Sequence, residues 1–461
     1  MRAARSLFRS LNHAVGAPRL ALGFFALVLG VIYSAIIPPI QSPDEAEHLK
    51  RAYLLSRGVL TFYTPASGPS GGYVATALLE FIDVHSSIPF RPNRKYSERM
   101  VDEARTIFWS EEERFVPITA SPNFPLVYFP ASIGLLVGRG CGLSVEHSYR
   151  LARFLTTSTS VGIIMLALTI HPSNPLSLFI LTLPMSVFQF VSVSADAISY
   201  ALTLLISSVG VVGLDAEKKY SPFLAILLGV SLFALVSGRW QLAPMIFLPL
   251  LIWLKRKRKL DFLAFLIALS SVFWIFYTLD RYVDARVVRE LPTEAILSYY
   301  LSRPAETLGI FWNTLTKEER ISFYYHSFIG RLGWLDTLLP SPLYRLAFFF
   351  LLLFFGLSFS VRNVRQDYKL RLVFFLISIA ILLISLAGLL VFWSPFPTKL
   401  IFGVQGRYFA IPVILMSYVL SGSSDLRTPL RLLLTKLAFF VWILVEAHYM
   451  TVGLIFRYLV R

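Results

Sequence analysis

Charge is what this 461-residue chain has least of: 15% of its residues are Asp, Glu, Lys or Arg, against 56% hydrophobic. A water-soluble chain covers its surface with about a quarter charged residues. Cysteine is almost absent. Cys141 stands alone, so no intramolecular disulfide can form, and no CxxC pair is available. The chain has no P-loop, no GxGxxG after a strand, no HExxH, no GxSxG and no Asp-x-Asp. Those absences argue against ATP-driven transport and against transfer from a cytosolic nucleotide sugar. Negative charge is the scarcer sign, with 27 Asp and Glu against 43 Lys and Arg. On a soluble domain such an excess would suggest nucleic acid. Here it reads as orientation signals in short cytoplasmic turns, and no nucleic-acid partner is expected.

What is abundant is apolar runs long enough to cross a bilayer as helices. Strand-like alternation is missing, which excludes a closed barrel. The expected fold class is an all-α polytopic membrane protein, a single integral membrane domain over 1–461 with about eleven transmembrane helices and outer-face juxtamembrane helices. The runs lie at 20–37, 150–170, 177–192, 197–213, 222–238, 241–254, 261–279, 342–360, 372–394, 407–421 and 432–454. Lys255–Lys259, Lys218 with Lys219, and Arg362, Arg365, Lys369 and Arg371 mark the inner side. The amino-terminal Arg2, Arg5, Arg9 and Arg19 precede a run too long for a usual signal peptide, which predicts a retained anchor with a cytoplasmic amino terminus.

Alternation then requires that 124–138 not span. Pro122, Pro125 and Pro130 fit an interfacial or re-entrant helix on the outer face. The polar segments 41–123 and 280–340 both fall outside. Arg457 and Arg461 also fall outside, against the charge rule.

Ser42-Pro43-Asp44-Glu45 has the pattern of a helix capping box, with Ser42 as N-cap and Glu45 at the third position. Capping does not explain His48 and Arg51, which follow Asp44 at helical spacing on one face. Asp196 lies near another helix start, where capping is again an alternative. The two acids could hold a divalent ion, Mg²⁺ or Mn²⁺, or share base and orienting roles. Arg239 and Arg407 each sit in an outer turn, as interfacial anchors or as phosphate-binding forks. Gln405 and Tyr408 flank Arg407, and Gly406 would allow close backbone approach. Tyr325, His326 and Arg331 offer aromatic and cationic contacts in the second outer segment, with an aromatic belt as the alternative.

Pro38-Pro39-Ile40-Gln41-Ser42-Pro43-Asp44-Glu45 with His48, Asn123–Pro130, the Asp196 turn, Gly330–Asp336 and Gln405-Gly406-Arg407-Tyr408 together resemble the domain-of-unknown-function 2142 family of bacterial membrane proteins. That family is similar in layout to the C superfamily of membrane glycosyltransferases. The resemblance implies a polyprenyl-phosphate sugar donor and an acidic motif in the first outer loop at Asp44, with Asp196 as its partner. The large soluble outer domain of many such enzymes is absent from this chain. The resulting expectation is transfer of a sugar to an envelope glycan, lipid or protein at the periplasmic face of a bacterial inner membrane. A flippase for lipid-linked sugars, or a non-catalytic partner of an envelope assembly complex, are the alternatives. The flippase would need mid-depth charges or broken helices.

Overall fold

The computed structural model describes residues 17–460 except 67, 120–123, 280, 285–290, 362–363 and 424–427. Pro122, Asn123, Arg2, Arg5, Arg9, Arg362 and Arg461 therefore lie outside the described residues.

Among the described residues, five helices are long and apolar enough to cross a membrane: Val145–Ile170, Ala195–Leu214, Lys259–Leu279, Ser341–Ser358 and Val364–Phe392. Shorter apolar helices run over Leu22–Ile36, Pro222–Gly238 and Gly406–Ser421. Ala195–Leu214 is the central post, with 94% of its apolar window buried. A helix that is hydrophobic all round belongs in the interior. Val145–Ile170, Pro222–Gly238, Phe247–Arg256 and Ala410–Ser421 pack around it. Phe273, Phe276, Phe348, Leu352 and Leu376 face outward from the surrounding helices, as bilayer-facing residues would.

Several apolar runs are interrupted. The stretch 177–192, expected as one span, divides into Pro175–Leu181 and Pro184–Phe190. Pro184 lacks the N–H that would continue the first helix, and its ring excludes the preceding turn. The run 241–254 opens with a 3₁₀ turn, Trp240–Ile246, which contains Pro244. A second 3₁₀ turn, Gly406–Phe409, precedes Ala410–Ser421. The 124–138 segment is the 3₁₀ turn Pro125–Tyr128 followed by Phe129–Gly140. Twelve helical residues rise only about 18 Å.

Polar contacts sort the molecule into two ends. At the first, Ser70 bonds Val283, Phe90 N–H donates to Asp336, and Val193 N–H donates to Glu45. The strands Gly71–Ala75 and Glu113–Pro117 pair there, with Tyr73 opposite Phe115. So do the helices Thr293–Leu301, Pro304–Thr316 and Glu318–Ile329 and the hairpin Arg331–Leu332 with Thr337–Leu338. Phe124 N–H donates to Ser237 O at 2.9 Å, and Val145 N–H to Ile107 O at 2.9 Å.

At the other end Lys218 approaches His171 and Ser423. Arg256 caps the carbonyls of Val212, Gly213 and Asp215, and Arg371 those of Val419, Leu420 and Ser360.

Arg457 belongs to the first end for a local reason. It is buried at the close of helix Pro429–Tyr458, 3.1 Å from Asp336 and bonded to the carbonyls of Ile88 and Arg94. It fastens the last helix to the first loop.

Candidate functional site

The site is built at the top of the central post. Ser194 caps Ala195–Leu214, accepting the Asp196 N–H at 3.1 Å and donating to Gln189 Oε1 at 2.6 Å. Ser42 also donates to Gln189 Oε1, at 3.3 Å. One amide oxygen therefore ties the first loop to the turn that bears Asp196.

The capping box forms only in part. Glu45 accepts the Ser42 N–H at 3.1 Å, but the Ser42 hydroxyl is turned to Gln189. Helix Glu45–Ser56 starts later than the pattern predicts, with Asp44 as its N-cap in the left-handed region at φ 62°. Non-glycine residues held there cost on the order of 1–3 kcal/mol and cluster at functional sites.

Four of the sequence-selected groups form a chain of alternating charge. Asp44 Oδ2 lies 3.1 Å from Arg407 Nη2. Arg407 Nη1 lies 3.4 Å from Asp196 Oδ2, and the other Asp196 oxygen pairs with Arg239. The side chain of Asp196 is 3% exposed and that of Asp44 is 45%, so Asp44 is the acid a substrate can reach. Arg407 is aimed by Gly406, where a Cβ would lie 2.1 Å from Phe328 N and 2.3 Å from Tyr324 O. Only glycine lets this turn seat on helix Glu318–Ile329, and Gly406 N–H then donates to Ser327 Oγ at 2.8 Å. Tyr408 lies beside Arg407, whose guanidinium carbon is 5.5 Å from the ring centroid.

His48 joins the cluster, 2.8 Å from the Tyr128 hydroxyl. Burial lowers the imidazole from its ordinary range, while Asp44 and Asp196 pull it upward against Arg239 and Arg407. Burial raises Tyr128, so the phenol stays protonated. Three polar atoms around the chain are buried without partners: Arg239 Nε, Arg407 Nε and Gln405 Oε1. Unsatisfied buried groups are uncommon enough to mark places where a ligand would complete the bonding.

The remaining candidates lie elsewhere. Glu45 is fully buried and committed to structure. Arg153 binds both its oxygens at 3.2 Å, and Tyr149 donates at 2.8 Å. Arg51 turns away from Asp44 to the carbonyls of Val59 and Leu60 and stacks over Phe62. Arg331 donates to Leu335 O and covers Phe323. Tyr325 and His326 line a separate open cavity with Tyr344 and Arg345.

A divalent cation does not fit the pair of acids. Asp44 and Asp196 each face a guanidinium, which is the opposite of cation-site electrostatics. Among the described residues no group of three or more His, Cys, Asp and Glu is placed to hold a metal ion.

Arg153, Tyr149 and Gln189 escaped the sequence reading. The one signal was an arginine just inside a long apolar run, which a bilayer-crossing helix keeps only for a partner. Neither the curated proteins nor the solved structures contain a match to this chain. A family model for predicted membrane proteins, DUF2142, matches residues 27–416, and the chain belongs to that family.

Proposed function

We propose that the protein is a membrane glycosyltransferase that moves a sugar from a polyprenyl-phosphate carrier to an envelope glycan, lipid or protein. In this reading about eleven segments cross a bacterial inner membrane from a cytoplasmic amino terminus, in a layout like that of the C-superfamily transferases. The basic end, with Lys218, Arg256 and Arg371, faces the cytoplasm, and the first end faces the periplasm.

The single observation that carries the reading is the Asp44–Arg407–Asp196–Arg239 chain, assembled from four distant segments. Asp44 takes the proton of the acceptor hydroxyl as that oxygen attacks the anomeric carbon. The bond from that carbon to the phosphate oxygen breaks, and the electron pair leaves on the lipid phosphate. Negative charge grows on that phosphate, where preorganised guanidinium groups stabilise it best. Arg407 and Arg239 are held in place by buried Asp196 and keep unused Nε donors. One base and one displacement give inversion at the sugar.

Asp44→Asn should leave the purified protein folded and lower transfer by about 10²–10⁴-fold, the usual worth of a general base. Undiminished transfer by that variant would remove Asp44 from the chemistry.

Translocation of a lipid-linked sugar is the second reading, favoured by two features. The helix pair Pro175–Leu181 and Pro184–Phe190 is broken within the bundle. Glu446 is buried midway along Pro429–Tyr458, with the Tyr33 hydroxyl 3.4 Å away. Broken helices and mid-depth acids are what transporters use. Movement of labelled lipid across vesicles by the Asp44→Asn variant, with the sugar linkage intact, would select this reading.

A further inference from the structure

We infer that the cavity between helices Glu318–Ile329 and Ser341–Ser358 is a binding site for the phosphate head of an anionic membrane lipid, with Arg345 as its cation. The inference is independent of whether sugar is transferred.

The cavity holds about 600 Å³ and is lined by Tyr325, His326, Ser341, Tyr344, Arg345 and Phe348. No carboxylate is among these residues. Its walls are fixed. Tyr344 donates to Gly330 O at 3.0 Å and accepts the Leu339 N–H at 3.0 Å. Tyr325 donates to Tyr344 O at 2.5 Å. His326 Nδ1 lies 2.7 Å from Ser322 O, and its ring packs edge-on against Tyr344 at 4.4 Å.

Arg345 is different. It is exposed, and it has no hydrogen-bond or ion-pair partner among the described residues. A guanidinium at the mouth of an apolar helix is normally paired or bound to an anion, because its planar fork matches phosphate.

The occupant must also be amphiphilic. Below Arg345 the same helix exposes Phe348, Phe349, Leu352 and Phe355, a strip that continues from the cavity down the bilayer-facing side. A charged head at Arg345 with a hydrocarbon tail along that strip satisfies both parts. A soluble phosphate would leave the strip unused.

The position links this cavity to the charge chain. Helix Glu318–Ile329 presents Tyr325 and His326 to the cavity, while its Tyr324 and Ser327 backbone presses on Gly406. The lipid site and Arg407 therefore lie on opposite sides of one helix.

The test uses the full chain in nanodiscs and measures binding of three probes by native mass spectrometry: phosphatidylglycerol, undecaprenyl phosphate and phosphatidylcholine. The intact protein should prefer the first two over the third by about tenfold. Arg345→Gln should abolish the preference for phosphatidylglycerol over phosphatidylcholine and lower undecaprenyl phosphate retention, and Arg365→Gln, at the basic end, should change neither. Phe348→Ala should weaken both anionic lipids while keeping the preference. A larger loss of undecaprenyl phosphate than of phosphatidylglycerol on Arg345→Gln would identify the prenyl carrier as the source. Equal losses of the two would identify any anionic phospholipid. No preference in the intact protein, or an unchanged preference in Arg345→Gln, would overturn the site. Asp44→Asn should keep the preference for phosphatidylglycerol over phosphatidylcholine, so loss of transfer and loss of this site are read separately.

Discussion

Two neighbouring acids, Asp44 and Glu45, have opposite fates. Glu45 is buried against Arg153, Tyr149 and two backbone N–H groups, whereas Asp44 is half exposed on Arg407. Removing one partner of a buried pair costs about 3–5 kcal/mol, and an exposed pair is worth about 1 kcal/mol or less. Glu45→Gln should therefore lower the melting temperature in detergent sharply, and Asp44→Asn should hardly move it. Comparable shifts in the two variants would refute this division of labour. His85 adds a pH dependence. It is fully buried in the first loop, bonded through Nδ1 to Phe81 O, and its Nε2 has no partner. Burial pushes it down to about 4 from 6.5. The unfolded chain thus binds the extra proton first, so stability is full above about pH 6.5 and falls between pH 6.5 and about 4. The loss is on the order of 3 kcal/mol by linkage. Denaturation midpoints of His85→Gln across that range should be flatter than those of the parent. Asp44, Asp196, Arg239 and Arg407 were legible because polar groups beside apolar runs need a reason to be there. The role of Glu45 was not, because its partners lie more than a hundred residues away.

Prolines mark most of the interruptions among the helices, but the sequence reading used them only at 124–138. Pro184 and Pro244 sit at breaks that apolar length alone concealed, since a run of hydrophobic residues has the same composition whether its axis is continuous or not. Arg51 shows the limit of helical spacing. It lies seven residues beyond Asp44, yet its long side chain turns to the Val59 and Leu60 carbonyls past the helix end. Gly406 decides whether the Gly406–Phe409 turn can seat. Gly406→Ala should displace the turn, lower transfer by about tenfold or more, and reduce thermal stability, because the added carbon meets backbone that cannot swing aside. Gly309→Ala, in helix Pro304–Thr316 with nothing within 4 Å of the new carbon, should be neutral or stabilising by up to about 1 kcal/mol. Equal behaviour of the two alanine variants, by melting curve and transfer assay, would show that the Gly406 contact is not limiting.

For the molecule as a whole, basic clusters and run lengths predict a side for each turn, and Arg457, which departs from that rule, is paired with Asp336, 121 residues away. Labelling chemistry decides which end faces outward, and the lone cysteine provides the handle. Cys141 is exposed and follows helix Phe129–Gly140, three residues before Ser144 pairs with Phe108 of the first loop. It therefore reports on the end that bears Asp44. A membrane-impermeant maleimide should label Cys141 in right-side-out vesicles and spare it in inside-out ones. In a Cys141→Ser background, Lys219→Cys, exposed at the basic end, should give the reverse pattern. Labelling of Cys141 from the cytoplasmic side would place the Asp44–Arg407 chain in the cytosol, where a lipid carrier presented in the periplasm cannot meet it. The proposed transfer would then lose its donor whatever the geometry of the site.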